Sequence, residues 1–129
     1  KVAGEAEADR IAVMLDDPNH GVRFAAAGSL AEMGPAAVDA VALRVRVMSS
    51  TAKVLAAHTL GRLGGLRAAE CLETLLESTD WAVRSAAVAG LARLGEATAV
   101  EMAKQALSEE SNPLARSLMK ASVVGSHVQ

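Results

Sequence analysis

Apolar residues recur at helical spacing along most of the chain, and they do so in a unit that repeats. The clearest copy is DWAVRSAAVAGLARLG, residues 80–95. Its apolar stripe consists of Val83, Ala87, Leu91 and Leu94. These positions lie on one face of a helix. Asp80 stands before the stripe as an N-cap residue would, and Gly95 follows it where helices commonly end. The unit therefore predicts an amphipathic helix with defined ends.

Three further copies begin at Asn19, Ser49 and Asn112, so successive starts lie 30, 31 and 32 residues apart. The second copy has Ser49 where the third has an acid, and the fourth lacks the closing Leu-Gly. A nearly fixed period in this range is typical of repeat arrays. We expect each copy to form the first, or leading, helix of one repeat.

Before the first leading helix and between successive ones lie segments with their own apolar stripes, which predict return helices. Their expected ranges are Ala3–Leu15, Ala36–Val47, Arg67–Glu77 and Thr98–Ser108. The chain is thus predicted to be all-α, an α-solenoid of about eight helices in which each hairpin shields the apolar face of the next.

The predicted single domain, 1–129, divides by repeat register. Residues 1–16 form the return helix of a preceding repeat, 17–47, 48–77 and 78–108 form full repeats, and 109–129 form a partial one. Because the row begins with a return helix and ends with a leading helix, we expect a longer array, or ends covered by another chain.

The pattern D/N-x-x-V-R-x-x-A-x-x-x-L-x-x-L-G resembles the short HEAT-like repeats of the type found in phycobilin lyase subunits. This resemblance implies an α-solenoid that acts as a scaffold for protein–protein interaction. It also leaves an alternative, a subunit of a chromophore lyase. The two aromatic residues, Phe24 and Trp81, offer little from which to build a tetrapyrrole pocket.

Composition narrows the class of protein. Hydrophobic residues make up 51% and aromatic residues 2%, which suits closely packed helices. The formal net charge of −2 shows no basic excess, which argues against nucleic acid as a partner. No apolar run approaches the ~20 residues of a membrane span. The lone Cys71 excludes an internal disulfide and favours a reducing, intracellular location, for which we expect the cytoplasm.

Few residues have the spacing of catalytic or metal-binding groups. His20, His58 and His127 occupy unrelated repeat positions, whereas a zinc site needs about four converging ligands. Cys71 has no neighbouring histidine in sequence, and phosphate-binding loops and nucleophile elbows are absent from the sequence. We therefore predict a protein that is not an enzyme and that has no catalytic residue, metal or cofactor.

Basic residues recur at one position of every leading helix, namely Arg23, Lys53, Arg84 and Arg116. One interpretation is a basic ladder for an acidic partner. The resemblance implies another, a structural ladder in which these cations pair with acids of the turns between repeats, such as Asp17, Asp80 and Glu110. We favour the structural ladder.

Acidic residues recur near the start of the return helices, namely Asp9, Asp39, Glu70 and Glu101. Stabilisation by the helix dipole would explain them without function. Alternatively they form a docking surface, because the resemblance implies that return helices line the concave face. Trp81 is either an exposed interface anchor or a staple over the adjoining hairpin. The residues predicted to contact a partner are Asp39, Glu70, Glu73, Glu101, Lys104 and Trp81.

Overall fold

The computed structural model describes residues 3–125, and these form eight α-helices and no strand. The helices are α1 Ala3–Val13, α2 His20–Met33, α3 Pro35–Arg44, α4 Ser50–Leu63, α5 Leu66–Leu75, α6 Trp81–Leu94, α7 Ala97–Glu109 and α8 Pro113–Val124. Short 3-10 turns, Met14–Asp16 and Val45–Val47, extend α1 and α3. Residues 126–129 of the predicted partial repeat, which include His127, lie outside the described residues.

Each leading helix begins at the predicted cap residue. The cap side chain accepts a hydrogen bond from a backbone N–H of the first turn: Asn19 from Val22 at 3.0 Å, Ser49 from Ala52 at 3.2 Å, Asp80 from Ala82 at 2.8 Å and Asn112 from Ala115 at 3.0 Å. Such a cap contributes about 1 kcal/mol relative to alanine. Period and cap chemistry together place these four helix starts.

The backbone N–H of each cap residue also donates to a side chain, and the acceptor in the turn before Ser49 differs from those in the other three turns. In three turns the acceptor is the side chain two residues earlier: Asp17 for Asn19, Ser78 for Asp80 and Glu110 for Asn112, at 2.8, 3.1 and 3.0 Å. The second turn has Val47 at that position, which has no acceptor. Asp16 of the preceding turn replaces it and accepts from the N–H and hydroxyl of Ser49 at 2.9 and 2.6 Å.

Glycine ends the leading helices where the chain must reverse. Gly34, Gly64 and Gly95 have φ of 79°, 75° and 71°, a region that side chains with a Cβ rarely adopt. Pro35 then occupies the first turn of α3, where its missing N–H leaves no acceptor unsatisfied. These residues separate the two helices of a hairpin.

The hairpins stack in chain order, so that two layers form. The leading helices α2, α4, α6 and α8 pack successively against one another, and the return helices α1, α3 and α5 do likewise. The predicted row of antiparallel helix pairs is confirmed. Between the layers lies a core whose leucine column, Leu30, Leu60 and Leu91, is fully buried.

One predicted core position is wrong. Val22 has the stripe position of Val83 in the first copy and is therefore predicted to be buried, but it is 36% exposed. Its repeat equivalents Ala52, Val83 and Ala115 are fully buried. The reason is its place in the row. Among the described residues, α2 has a leading helix on one side only, so nothing covers Val22.

Helices α4 and α6 approach each other more closely than side chains would allow. A Cβ added to Gly61 would lie 2.8 Å from the Cα of Gly90. A Cβ on Gly90 would lie 2.9 Å from the carbonyl oxygen of Ala57 and 2.8 Å from Leu72. The distances to the Cα of Gly90 and to the carbonyl oxygen of Ala57 are shorter than real Cβ atoms show, and both are to backbone atoms, so this contact requires glycine on both helices.

Across residues 3–125, no helix combines the length and apolarity that crossing a membrane requires.

Candidate binding surface

Charge is divided between the two layers. The four leading helices contain one acidic residue, Glu32, and seven basic residues. The basic residues are Arg23, Lys53, Arg62, Arg84, Arg93, Arg116 and Lys120. The four return helices contain eight acidic residues, namely Glu5, Glu7, Asp9, Asp39, Glu70, Glu73, Glu101 and Glu109. They contain four basic residues, namely Arg10, Arg44, Arg67 and Lys104. The overall charge of −2 therefore describes neither layer.

A groove of about 520 Å³ lies between the return helices α5 and α7. Unlike the neighbouring return helices, these two are not joined by an extensive helix–helix contact. Five exposed polar residues line it: Glu73, Glu77, Gln105, Glu109 and Ser111. Its apolar lining consists of Leu76, Met102, Ala106 and Met119. A cavity of this size falls within the ~300–1,000 Å³ typical of ligand pockets.

Arg84 and Glu110 form a paired charge in the lining of this groove. The Nε and one terminal nitrogen of Arg84 donate to the two carboxylate oxygens of Glu110, each at 2.7 Å. The Glu110 side chain is 3% exposed. Hydrogen bonds from Arg84 hold the pKa of Glu110 below its usual value, although burial acts in the opposite direction. Such a bidentate, charge-assisted pair is among the stronger polar contacts in proteins.

The basic column of the leading helices is engaged with the turns between hairpins. Arg23, Arg84 and Arg116 each donate from a terminal nitrogen to the carbonyl oxygen six residues earlier, that of Asp17, Ser78 and Glu110, at 2.8, 3.0 and 3.0 Å. Three of the four residues therefore make structural contacts. Lys53 makes no hydrogen bond or ion pair with the residues that the structure describes.

Within residues 3–125, only Arg84 of this column has a carboxylate within hydrogen-bonding distance. The Nε of Arg23 is buried and has no partner among the described residues. The position equivalent to Glu110 in the turn after Arg23 is Val47, whose side chain offers no acceptor. The ladder is thus complete only at the end of the array that borders the groove.

The acidic residues Asp39, Glu70 and Glu101 of the return helices are exposed. Asp39 of α3 and Arg67 of α5 approach to 3.5 Å, and Glu101 and Lys104 of α7 approach to 3.9 Å. Glu70 and Glu73 are exposed on α5, and Glu73 also lines the groove. Pairs this exposed contribute at most about 1 kcal/mol to stability.

The helix dipole does not account for the acidic column. Asp39, Glu70 and Glu101 are each the fifth residue of their helix, and the first turns of α3, α5 and α7 contain no acid. The dipole effect fades within the first turn. Stabilisation by the helix dipole therefore does not explain the acids at these three positions.

Trp81 lies elsewhere, on the first turn of the leading helix α6. Its side chain is partly buried and packs against the core, and its carbonyl oxygen accepts a hydrogen bond from Ser85 at 2.9 Å. Cys71 is also buried, and burial raises the pKa of its thiol. No group of three or more His, Cys, Asp or Glu within residues 3–125 is arranged to hold a metal ion.

The comparison with protein families agrees with this architecture. A family model described as HEAT repeats matches residues 46–122, which is more than half of the chain. The chain belongs to the HEAT-repeat family. The predicted α-solenoid fold and the predicted family are thereby confirmed, and the finer likeness to phycobilin lyases stays a prediction.

A solved structure is similar to this fold, and the similarity does not identify the function of this chain. Human deoxyhypusine hydroxylase, solved in complex with glycerol, is similar to this HEAT-repeat chain with a TM-score of 0.74 and 27% identity. The similarity covers 94% of this chain but 43% of the hydroxylase, so the chain spans less than half of that protein. A search of curated proteins found no match.

Sequence reasoning missed two features of this HEAT-repeat surface. The groove depends on the separation of α5 from α7, which no repeat pattern encodes. The division of charge was readable, because the predicted helices already assign each charged residue to a layer. Counting charges by layer, rather than over the chain, would have found it.

Proposed function

We propose that this HEAT-repeat chain is a non-enzymatic scaffold that binds another protein on its layer of return helices. The observation that carries the proposal is the acidic column of that layer, whose helices α5 and α7 border an open groove. Asp39, Glu70 and Glu101 are solvent-exposed, and neither the helix dipole nor burial accounts for them. The contact surface is centred on Glu70, Glu73 and Glu101, with Asp39 and Lys104 at its edge.

The leading layer is a weaker candidate for the same role. Three of its ladder cations are engaged with backbone carbonyls of the turns, which gives them a structural task. Trp81 is packed against the core and does not project from the return layer. These contacts support placing the docking surface among the return helices.

The hydroxylase activity in the name of the structural neighbour belongs to that protein. Within the described residues of this chain, no cluster of potential metal ligands and no activated thiol supports a reaction. We therefore base the proposal on surface recognition.

Capture from cells that make the protein tests the proposal. The tagged chain with Glu70→Lys and Glu73→Lys should lose the partners recovered by the wild type, because the changes reverse charge at the centre of the surface. A matched variant, Glu32→Lys and Glu96→Lys, changes the net charge equally but lies outside the return helices. Recovery that is equal for both variants would reject the surface.

A further inference from the structure

The groove between α5 and α7 combines an apolar floor with acidic rims. Leu76, Met102 and Met119 supply apolar surface, and Met119 is almost fully buried beneath it. Methionine side chains adapt to different shapes, so this floor suits an inserted apolar group. Glu73 and Glu77 line one side, and Glu109 lines the other.

The charge of the groove is uncompensated. Among the described residues, Arg84 is the only cation in its lining, and the buried carboxylate of Glu110 neutralises it at 2.7 Å. Glu73, Glu77 and Glu109 form no ion pair with any residue that the structure describes, and Glu109 only accepts from Gln105 at 2.8 Å. An incoming cation would therefore meet three available carboxylates and no free positive charge.

The size of the groove limits what enters it. A volume of about 520 Å³ holds a few side chains but not a length of folded backbone. The backbone of a bound segment must remain above the rims and direct side chains inward from one face. An amphipathic helix does this with residues at i, i+3, i+4 and i+7.

We infer that the groove between α5 and α7 binds a helical segment of a partner protein that carries an apolar stripe flanked by lysine or arginine. The stripe contacts Met102 and its neighbours, and the flanking cations contact Glu73, Glu77 and Glu109. This inference rests on the proposed function, because it names the chemistry of the partner on the same layer.

Synthetic peptides about four helical turns long provide the probe. The first carries leucines at i, i+3, i+4 and i+7 with lysine and arginine beside them. The second has the same composition in scrambled order, and the third replaces the cations by glutamate. Fluorescence anisotropy should detect binding of the first peptide alone, and binding should weaken with added salt.

Two variants test the groove itself. Glu73→Gln, Glu77→Gln and Glu109→Gln together should weaken binding of the first peptide about tenfold, since each exposed pair contributes ~0.2–1 kcal/mol. Glu7→Gln, Glu32→Gln and Glu96→Gln alter three exposed acids outside the groove and should leave the affinity unchanged. Met102→Ala should also weaken binding, which simple charge attraction would not predict.

Equal binding of the striped and scrambled peptides would overturn the inference, as would equal affinity of the two triple variants. If capture depends on Glu70 and Glu73 while no peptide binds, the inference is wrong and the proposed function stands. If the striped peptide binds but capture ignores Glu70 and Glu73, the groove preference stands and the proposed function is wrong.

Discussion

The second and third hairpins meet in two different ways on their two sides. On the leading side, α4 and α6 touch through their backbones, because Gly61 and Gly90 bring no side chains to the contact. On the return side, α5 and α7 stand apart and leave a groove of about 520 Å³. One pair of hairpins thus provides both a backbone-to-backbone junction and an open groove.

The contrast shows that a repeat interface is not uniform across its width. Where glycines face each other, the interface is continuous backbone and core. Where α5 and α7 make no extensive contact, an accessible groove remains, with the Arg84–Glu110 pair in its lining. Stability should therefore respond most strongly to changes on the leading side, and recognition to changes on the return side.

The largest expected effect on stability comes from adding a side chain at the close contact between α4 and α6. Gly90→Ala should lower the free energy of unfolding by about 2–3 kcal/mol, because its Cβ would collide with the carbonyl of Ala57 in the α4 backbone, which cannot move aside easily. Chemical denaturation measures this. Gly28→Ala is the matched control, since Gly28 lies within α2 and a Cβ there meets nothing within 4 Å.

Gly28→Ala should instead raise the free energy of unfolding by about 0.5–1 kcal/mol, through the higher helix propensity of alanine. If Gly90→Ala were equally stabilising, the close contact between α4 and α6 would be absent in solution.

The next effect concerns the ion pair that borders the groove. Glu110→Gln should cost about 2 kcal/mol, because it leaves the partly buried guanidinium of Arg84 without a charged partner. Thermal and urea unfolding measure the change. The adjacent Glu109→Gln is exposed and should shift stability by less than about 0.5 kcal/mol. Similar costs for both variants would contradict the bidentate pair.

Lowering the pH should reproduce part of the loss of stability that Glu110→Gln causes. The pKa of Glu110 is lowered in the folded state, so its stabilising contribution is present above its ordinary value of 4.5 and is lost as pH falls through the folded-state value. The urea midpoint of the wild type should decline below pH ~4.5 more than that of Glu110→Gln.

The urea midpoint of Glu110→Gln should still decline in acid, because two other carboxyl groups have a lowered pKa. A hydrogen bond from Ser49 lowers the pKa of Asp16, and one from the backbone N–H of Ala82 lowers the pKa of Asp80. A parallel decline of both proteins would show that Glu110 is not the group responsible.

The smallest effect on stability should come from filling the open side. Ala106→Leu places a larger apolar side chain in the groove, so unfolding should change by less than about 1 kcal/mol while the striped basic peptide loses its site. Ala121→Leu, at an exposed position of α8, is the control and should bind the peptide normally. Undiminished binding to Ala106→Leu would place the peptide elsewhere.

Much of the architecture was predictable because its determinants are local. The caps Asn19, Ser49, Asp80 and Asn112 satisfy backbone groups within their own turn, so each can be recognised without knowing the fold. The positive φ of Gly34, Gly64 and Gly95 is likewise a property of single residues. Helix starts and the period therefore followed from the sequence.

The binding surface was predictable only in outline. The acidic column at Asp39, Glu70 and Glu101 repeats along the chain, and the structure places it on the return helices. The groove between α5 and α7 was not foreseen, because it depends on the distance between two helices that are not adjacent in sequence. The partner of Arg84 was one of several acids that the sequence allowed.

By itself, the sequence determined the helices, their order and the faces that become core, because hydrophobic spacing and capping act over a few residues. Only the tertiary structure decided how far apart neighbouring helices lie, which acid pairs with Arg84 and where a groove remains. Those outcomes depend on side-chain volumes summed across two hairpins, which no single segment of the chain contains.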